Sequence, residues 1–233
     1  MNIDAQPAAR RLLINLGCGP AARPTCWMDC DGSWNVLASR APLGSWARGL
    51  LGQRNGAFPP HVRYVDVTRR LPFAESTADA VYFSHLLEHL YHDDGQRLLR
   101  ESWRILKPDG VIRVVVPDTE HHMESYRAEK SRGEEGACLR LNERLMYRPL
   151  TSRRSLVARA YTALTDFHSH KFMYDRPYLA SCLRAAGFTD VSERQFRESR
   201  IAEVTEVENE GRVGDGAGFA IEAVKPAKDA NPC

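Results

Sequence analysis

The chain has 233 residues, 43% of them hydrophobic and 27% charged, with 32 basic side chains against 30 acidic ones. A chain of this size can bury a core without disulfides or metal staples, and its near-zero net charge gives no whole-chain case for nucleic acid as a partner. No run approaches the roughly 18 consecutive apolar residues of a membrane span, and MNIDAQPAAR lacks a signal-peptide core, so a cytoplasmic protein forming one domain over 1–233 is expected.

Short apolar runs open the chain. Arg11 to Leu16 (RLLINL) ends at Gly17 and predicts a buried strand, followed by a second at Trp27 to Asp31 and an alternating third at Val62 to Asp66. Asp79 to Ser84 is the fourth and Val111 to Val116 the fifth, stopped by Pro117, which cannot donate to a ladder. Between these two, Leu98, Leu99, Trp103 and Leu106 recur at helical spacing, with Asp93 or Asp94 as a cap and Lys107 to Gly110 as the closing turn. From about Asp175 a second helix carries Leu179, Cys182, Leu183 and Ala186 on one face and stops at Gly187. Phe188 to Phe196 and Gly218 to Val224 complete a set of about seven strands. Strands alternating with helices predict an α/β fold, a Rossmann-like doubly wound and mostly parallel sheet. Two stretches, 33–60 and 118–172, fit no simple unit and are expected to cover the substrate, the second being mostly helical.

Charge is uneven along the chain. Residues 127–160 hold eight Arg and one Lys against four Glu, whereas 190–215 hold eight acids against four Arg. Solvated helix faces account for both, and a surface turned toward an anionic substrate is the sharper alternative for the first. The six cysteines show no framework spacing, so free thiols are expected, with Cys26 and Cys30 buried on one strand face by parity.

The chemistry-bearing residues sit at strand ends. Gly17-Cys18-Gly19 follows the first strand, where glycines let a ligand approach the backbone and turn N–H groups can meet an anion. Asp31 ends the second strand, where a carboxylate can accept both hydroxyls of a ribose, and Asp66 ends the third. A dinucleotide site, or a tight structural turn, would also explain the glycines alone. Only Pro20 to Thr25 separate Gly19 from the second strand, which leaves room for one helical turn at most.

As an ordered set these residues resemble the class I S-adenosylmethionine-dependent methyltransferases. The resemblance is to the branch with an LNLGCG-type first motif, a W-x-x-x-D strand end and an S-H-x-L-E-H-L stretch. The matching pieces are Asn15 to Gly19, Trp27 to Asp31, Asp66 with Leu71-Pro72-Phe73, Ser84 to Leu90, Leu99 to Gly110, Met173 to Asp175 and Ala186 to Phe188. The resemblance implies S-adenosylmethionine as cofactor, lined by Gly17, Cys18 and Gly19. It implies Asp31 on the ribose, Asp66 and Val67 at the adenine, and Ser84 and His85 near the sulfonium. The expected reaction is methyl transfer to an oxygen, less readily a nitrogen, of a small polar, acidic or glycan-type acceptor. A nicotinamide-dependent oxidoreductase and a non-catalytic binding module are the competing classes.

A positioned imidazole can take a proton as the methyl arrives, which makes His85 and His170 the candidate bases ahead of His121, His122 and His168. His85-x-x-Glu88-His89 also reads as the H-x-x-E-H of a zinc hydrolase. Within the methyltransferase pattern, capping and packing are the expected roles of Glu88 and His89, and no metal is expected. Cys26-x-x-x-Cys30 lacks the third cysteine of a radical cluster, since position 33 is Ser33.

Overall fold

The computed structural model describes residues 11–40, 57–146, 169–214, 216 and 218–227. The strands are β1 (Leu13–Leu16), β2 (Met28–Asp31), β3 (Arg63–Tyr64), β4 (Ala78–Ser84), β5 (Leu106–Pro117), β6 (Thr189–Arg194) and β7 (Gly218–Val224). Between them stand the helices α1 (Trp34–Arg40), α2 (His92–Ile105), α3 (Thr119–Ser131), α4 (Ala137–Leu145) and α5 (Arg176–Ala185).

The seven strands form one sheet in the order β3-β2-β1-β4-β5-β7-β6. β1 to β5 pair in parallel, and β7 runs antiparallel to both β5 and β6. From β1 the chain builds outward in one direction through β2 and β3, then in the other through β4 and β5. The reversal at β1/β4 opens the crevice at the carboxyl ends where ligands of open α/β sheets bind.

Strand parity sorts the core into two faces. Ile14, Leu16, Val81, Phe83, Ile112 and Val114 point to one side, where Leu98 and Leu99 of α2 and Leu179 and Leu183 of α5 cover them. Leu13, Ala80, Tyr82 and Val115 point to the other, against Trp27, Ile201, Val204 and Val213. Each fully buried leucine of this kind contributes roughly 1.5–3 kcal/mol through apolar burial. Among the described residues, the second face is covered by Trp27 and the short 3-10 turns of 201–213 rather than by a long helix.

Several expectations shift at element boundaries. Strand β3 keeps only Arg63 and Tyr64 of the predicted Val62 to Asp66, so Asp66 lies two residues beyond it. Its Oδ1 instead accepts from the Thr68 N–H (3.0 Å) and hydroxyl (2.7 Å), an Asx-type turn. Helix α2 begins at His92 without a side-chain cap, Asp93 and Asp94 lie inside its first turn, and it ends at Ile105, leaving Leu106 to β5. The predicted turn Lys107 to Gly110 is a wide irregularity within β5: Leu106 pairs with Ala78 and Val111 with Ala80, while Asp109 adopts φ 63°.

At α5 the side chain of Asp175 caps the first turn by accepting from the Tyr178 N–H (2.8 Å), as the sequence suggests. Gly187 follows at φ +100°, and a Cβ there would stand 3.0 Å from Trp103 Nε1. Cys26 is exposed and lies outside β2, so the parity argument fails for it, whereas Cys30 is buried. No helix forms between β1 and β2, as the short, proline-bearing link requires. The expected cover over 118–172 supplies α3 and α4, and its remainder, 147–168 with His168, lies outside the described residues, as do 41–56 of the other insertion.

Candidate active site

β1 delivers Gly17 to the carboxyl edge of the sheet at φ +69°, with Gly19 at φ +73°. The Gly17 and Cys18 N–H groups donate to the Cys30 carbonyl at 2.8 and 3.2 Å, which binds the turn to the end of β2. A Cβ on Gly17 would lie 3.0 Å from Leu86 Cδ1, so the missing side chain lets the turn approach the segment after β4. Asp31 accepts from the Gly19 N–H (3.0 Å) through Oδ2 and from the Ser33 N–H (2.8 Å) through Oδ1. The Val65 N–H donates to the Asp31 carbonyl at 3.0 Å, which brings the stretch before Asp66 and the buried Val67 to the same edge. Asp66 Oδ2 pairs with Arg69 at 3.1 Å. Burial and then the carboxylates of Asp31 and Asp29 push the Cys18 thiol far up, so it stays protonated.

β4 ends at Ser84, which is buried, and the next residue, His85, turns the chain in the left-handed region at φ 51°. A backbone bond from the His85 N–H to the Val115 carbonyl (2.9 Å) holds this corner. Its ring reaches two ways: Nδ1 stands 3.2 Å from Glu88 Oε1, and Nε2 stands 3.2 Å from the Arg212 carbonyl. Leu87–His89 is a single 3-10 turn. His85 and His89 therefore do not share the helix face that the H-x-x-E-H reading requires.

The chain returns to this turn from far away in sequence. The N–H groups of Lys171 and Phe172 both donate to the Glu88 carbonyl, at 2.7 and 3.2 Å, and His89 Nδ1 stands 3.3 Å from the Ser169 carbonyl. His170 is thereby set with its ring centroid 4.9 Å from that of His89. Burial is the main cause that holds His170 below the ordinary histidine range, aided by the neighbouring His89 and His85. The sequence singles out both His85 and His170 as candidate bases, with capping and packing as the expected roles of Glu88 and His89. The signal that could have raised Glu88 was a carboxylate between two histidines at a strand end.

His121 and His122 stand on α3, the first beside Gly216, where an added Cβ would meet the ring, and the second with its pKa lowered by burial. Three of the four described arginines of 127–160 are used internally: Arg140 and Arg144 pair with Glu129, and Arg132 and Arg140 with Glu134. Among the described residues this part of the basic stretch forms an ion-paired helix surface. A groove of about 390 Å³, lined by Arg11, Leu12, Pro24, Thr25 and Trp27, opens beside the residues that precede β1 and β2, away from the glycine turn.

Residues 14–114 match the methyltransferase domain family. No curated protein matches the chain in sequence. Among solved structures, a chain of the Haloferax volcanii complex with the Trm112 methyltransferase activator is similar at 14% identity, over 93% of this chain and 83% of that one, with TM-score 0.46. The CurJ carbon methyltransferase is similar at 15% identity over 96% of this chain and 50% of that one, so this chain spans half its length, with TM-score 0.46. A SAM-dependent methyltransferase of Archaeoglobus fulgidus is similar at 16% identity over 92% and 86%, with TM-score 0.45. Likeness at such TM-scores carries no argument about chemistry, and the weight rests on the family match and the site itself. The match favours methyl transfer over the nicotinamide alternative, and no helix among the described residues is long and apolar enough to cross a membrane. Residues 14–114, under half of the chain, are similar to a methyltransferase domain, and the protein is an enzyme whose methyl donor is S-adenosylmethionine.

Proposed function

We propose that this enzyme moves the methyl group of S-adenosylmethionine to a hydroxyl oxygen of a small polar acceptor, with His85 as the group that receives the hydroxyl proton. The observation that carries the reading is the pairing of His85 Nδ1 with Glu88 Oε1 at 3.2 Å, one residue before the Leu86 that faces Gly17. A hydroxyl must lose its proton as it attacks, and a carboxylate behind an imidazole supports that transfer. The new C–O bond forms as the C–S bond breaks, S-adenosylhomocysteine leaves, and the proton passes to Nε2. The acceptor hydroxyl replaces the Arg212 carbonyl, which stands 3.2 Å from that nitrogen.

The cofactor roles follow the strand ends. Gly17, Cys18 and Gly19 line the methionine portion, Asp31 accepts from the ribose hydroxyls with the lone pairs its two N–H donors leave, and Asp66 with Val67 borders the adenine. Ser84 stands with His85 near the sulfonium. His170, the other candidate base, is 6% exposed and is set against Glu88 and His89, so proton transfer falls to His85. The internal ion pairs of Arg132, Arg140 and Arg144 leave polarity rather than charge as the acceptor's expected character.

The test is an acceptor screen with radiolabelled S-adenosylmethionine, followed by His85→Ala on the best substrate. The expected result is a loss in kcat of about 100-fold or more with KM little changed and S-adenosylhomocysteine affinity retained. Unchanged kcat in His85→Ala, or labelled product only from amines, overturns the reading.

A further inference from the structure

Glu88 is fully buried; His85 Nδ1 stands 3.2 Å from its Oε1 as an ion-pair partner, but neither carboxylate oxygen accepts a well-formed hydrogen bond from the described residues. One imidazole is thin compensation for a buried carboxylate, which usually has several hydrogen-bond donors. Two imidazoles face it besides His85. One ligand atom each from Glu88, His89 and His170 lies within 4.8 Å of the others. The Nδ1 of His170 is itself buried and without a hydrogen-bond partner among the described residues.

The surroundings orient these donors as they do around metal-bound histidines, which usually give their second ring nitrogen to a carbonyl. His89 Nδ1 stands 3.3 Å from the Ser169 carbonyl, which fixes the orientation of its ring beside Glu88 and His170. The backbone bond from the His170 N–H to the Met146 carbonyl (2.9 Å) and those from Lys171 and Phe172 to Glu88 hold the two segments in register. No helix periodicity is involved, since His89 and His170 are 81 positions apart and meet only through the fold.

We propose that Glu88, His89 and His170 bind one divalent transition cation of the zinc class. Two imidazoles and one carboxylate suit such ions, and three protein ligands leave a position for water or an acceptor oxygen. Ligand bonds of roughly 2.0–2.2 Å require the three atoms to draw together by about 1 Å, which side-chain rotation can supply. Glu88 can then meet the cation while still facing His85. This stands on the geometry of the cluster and is independent of the methyl-transfer reading, which S-adenosylhomocysteine binding tests separately.

The experiment uses the full chain, freed of any polyhistidine tag and stripped with chelator, titrated with cobalt(II) as the spectroscopic probe. Visible d–d bands saturating at one cobalt per chain, displaced by zinc, are expected. His170→Ala and Glu88→Gln should each weaken binding by about 100-fold or more, Glu88→Asp should weaken it less, and His122→Ala should leave it unchanged. Far-UV circular dichroism and S-adenosylhomocysteine titration on each variant show whether it has kept its fold. If Glu88→Gln is misfolded, His89→Gln takes its place. No cobalt bound by the wild type, or equal binding in folded His170→Ala and Glu88→Gln variants, overturns the proposal.

Discussion

Two buried charged clusters in this protein are built to opposite rules. In the first, Arg113 in β5 is fully buried and gives every arm to a partner: Glu208 at 2.7 Å, Glu222 at 2.9 Å, and the Gln195 and Glu198 carbonyls at 2.9 and 2.8 Å. Its carboxylates are held in turn, Glu208 by the Arg197 N–H at 2.7 Å, and Glu222 by the Ser199 hydroxyl and the Arg200 N–H. In the second, Glu88 is as deeply buried but meets the His85 ring at 3.2 Å and accepts no well-formed hydrogen bond from the described residues. A saturated network fixes the fold and has nothing left to offer a ligand. A carboxylate at the carboxyl end of the sheet that holds one imidazole partner has lone pairs to spare for a ligand.

Replacing Arg113 with Ala is the most damaging way to test this contrast. It strands two buried carboxylates and should lower the unfolding free energy by about 3–5 kcal/mol, read as a fall in urea midpoint. A loss under 1 kcal/mol would mean that the saturated cluster does not hold β5 to β7 after all. Asp31, which accepts from the Gly19 and Ser33 N–H groups, is the proposed ribose ligand. Asp31→Ala should cost about 1.5–3 kcal/mol of S-adenosylhomocysteine affinity, or roughly 10- to 100-fold by calorimetry, with a smaller effect on folding. Unchanged affinity removes Asp31 from the cofactor site.

Asp118 offers a pH handle on a satisfied carboxylate. Burial would raise its pKa, but the two bonds from Arg176 and the His121 N–H together hold it below the ordinary value of 3.8. Because the folded value is depressed, its stabilising effect is complete above 3.8 and is lost as pH falls through the lower folded value. Asp118→Asn should therefore lower the Tm at pH 7 and narrow its gap to the wild type as both are acidified below pH 4. A gap that holds steady to low pH refutes the coupling. Glu88→Gln should have the smallest effect on stability, within about 1 kcal/mol in chelated protein, because Gln keeps the side-chain shape and the charge it removes is paired with the His85 ring alone among the described ion pairs. A cost equal to that of Arg113→Ala would erase the distinction between the clusters.

Much of the scaffold was legible because it is written in local terms. β7 matches its predicted span, and the Asp175 cap and Gly187 stop frame α5, since alternation, capping and left-handed glycines act over a few residues. β3 is two residues long because only Cys30 and Asp31 of β2 pair with it, after which Asp66 turns the chain onto Thr68, and Lys107 to Gly110 joined β5 because the register on β4 shifts there. Cys26 was misplaced because parity holds only inside a strand, and the strand begins at Met28.

At the site the division is sharper. The glycine turn, Asp31 and the strand-end order came from residues close along the chain, and with them the methyltransferase reading. Arg113 reads in sequence as a polar residue within an apolar strand, and nothing local says that Glu208 and Glu222 await it. Glu88 looks like one more acid after a histidine until residues 169–172 close over it. By itself, then, the sequence determined the parallel sheet, its cofactor-side edge and the candidate histidines, since periodicity and turn chemistry are short-range. Only the tertiary structure decided which buried charges are satisfied and which are left open, because that depends on partners about 80 to 110 positions away, brought together by packing of the core.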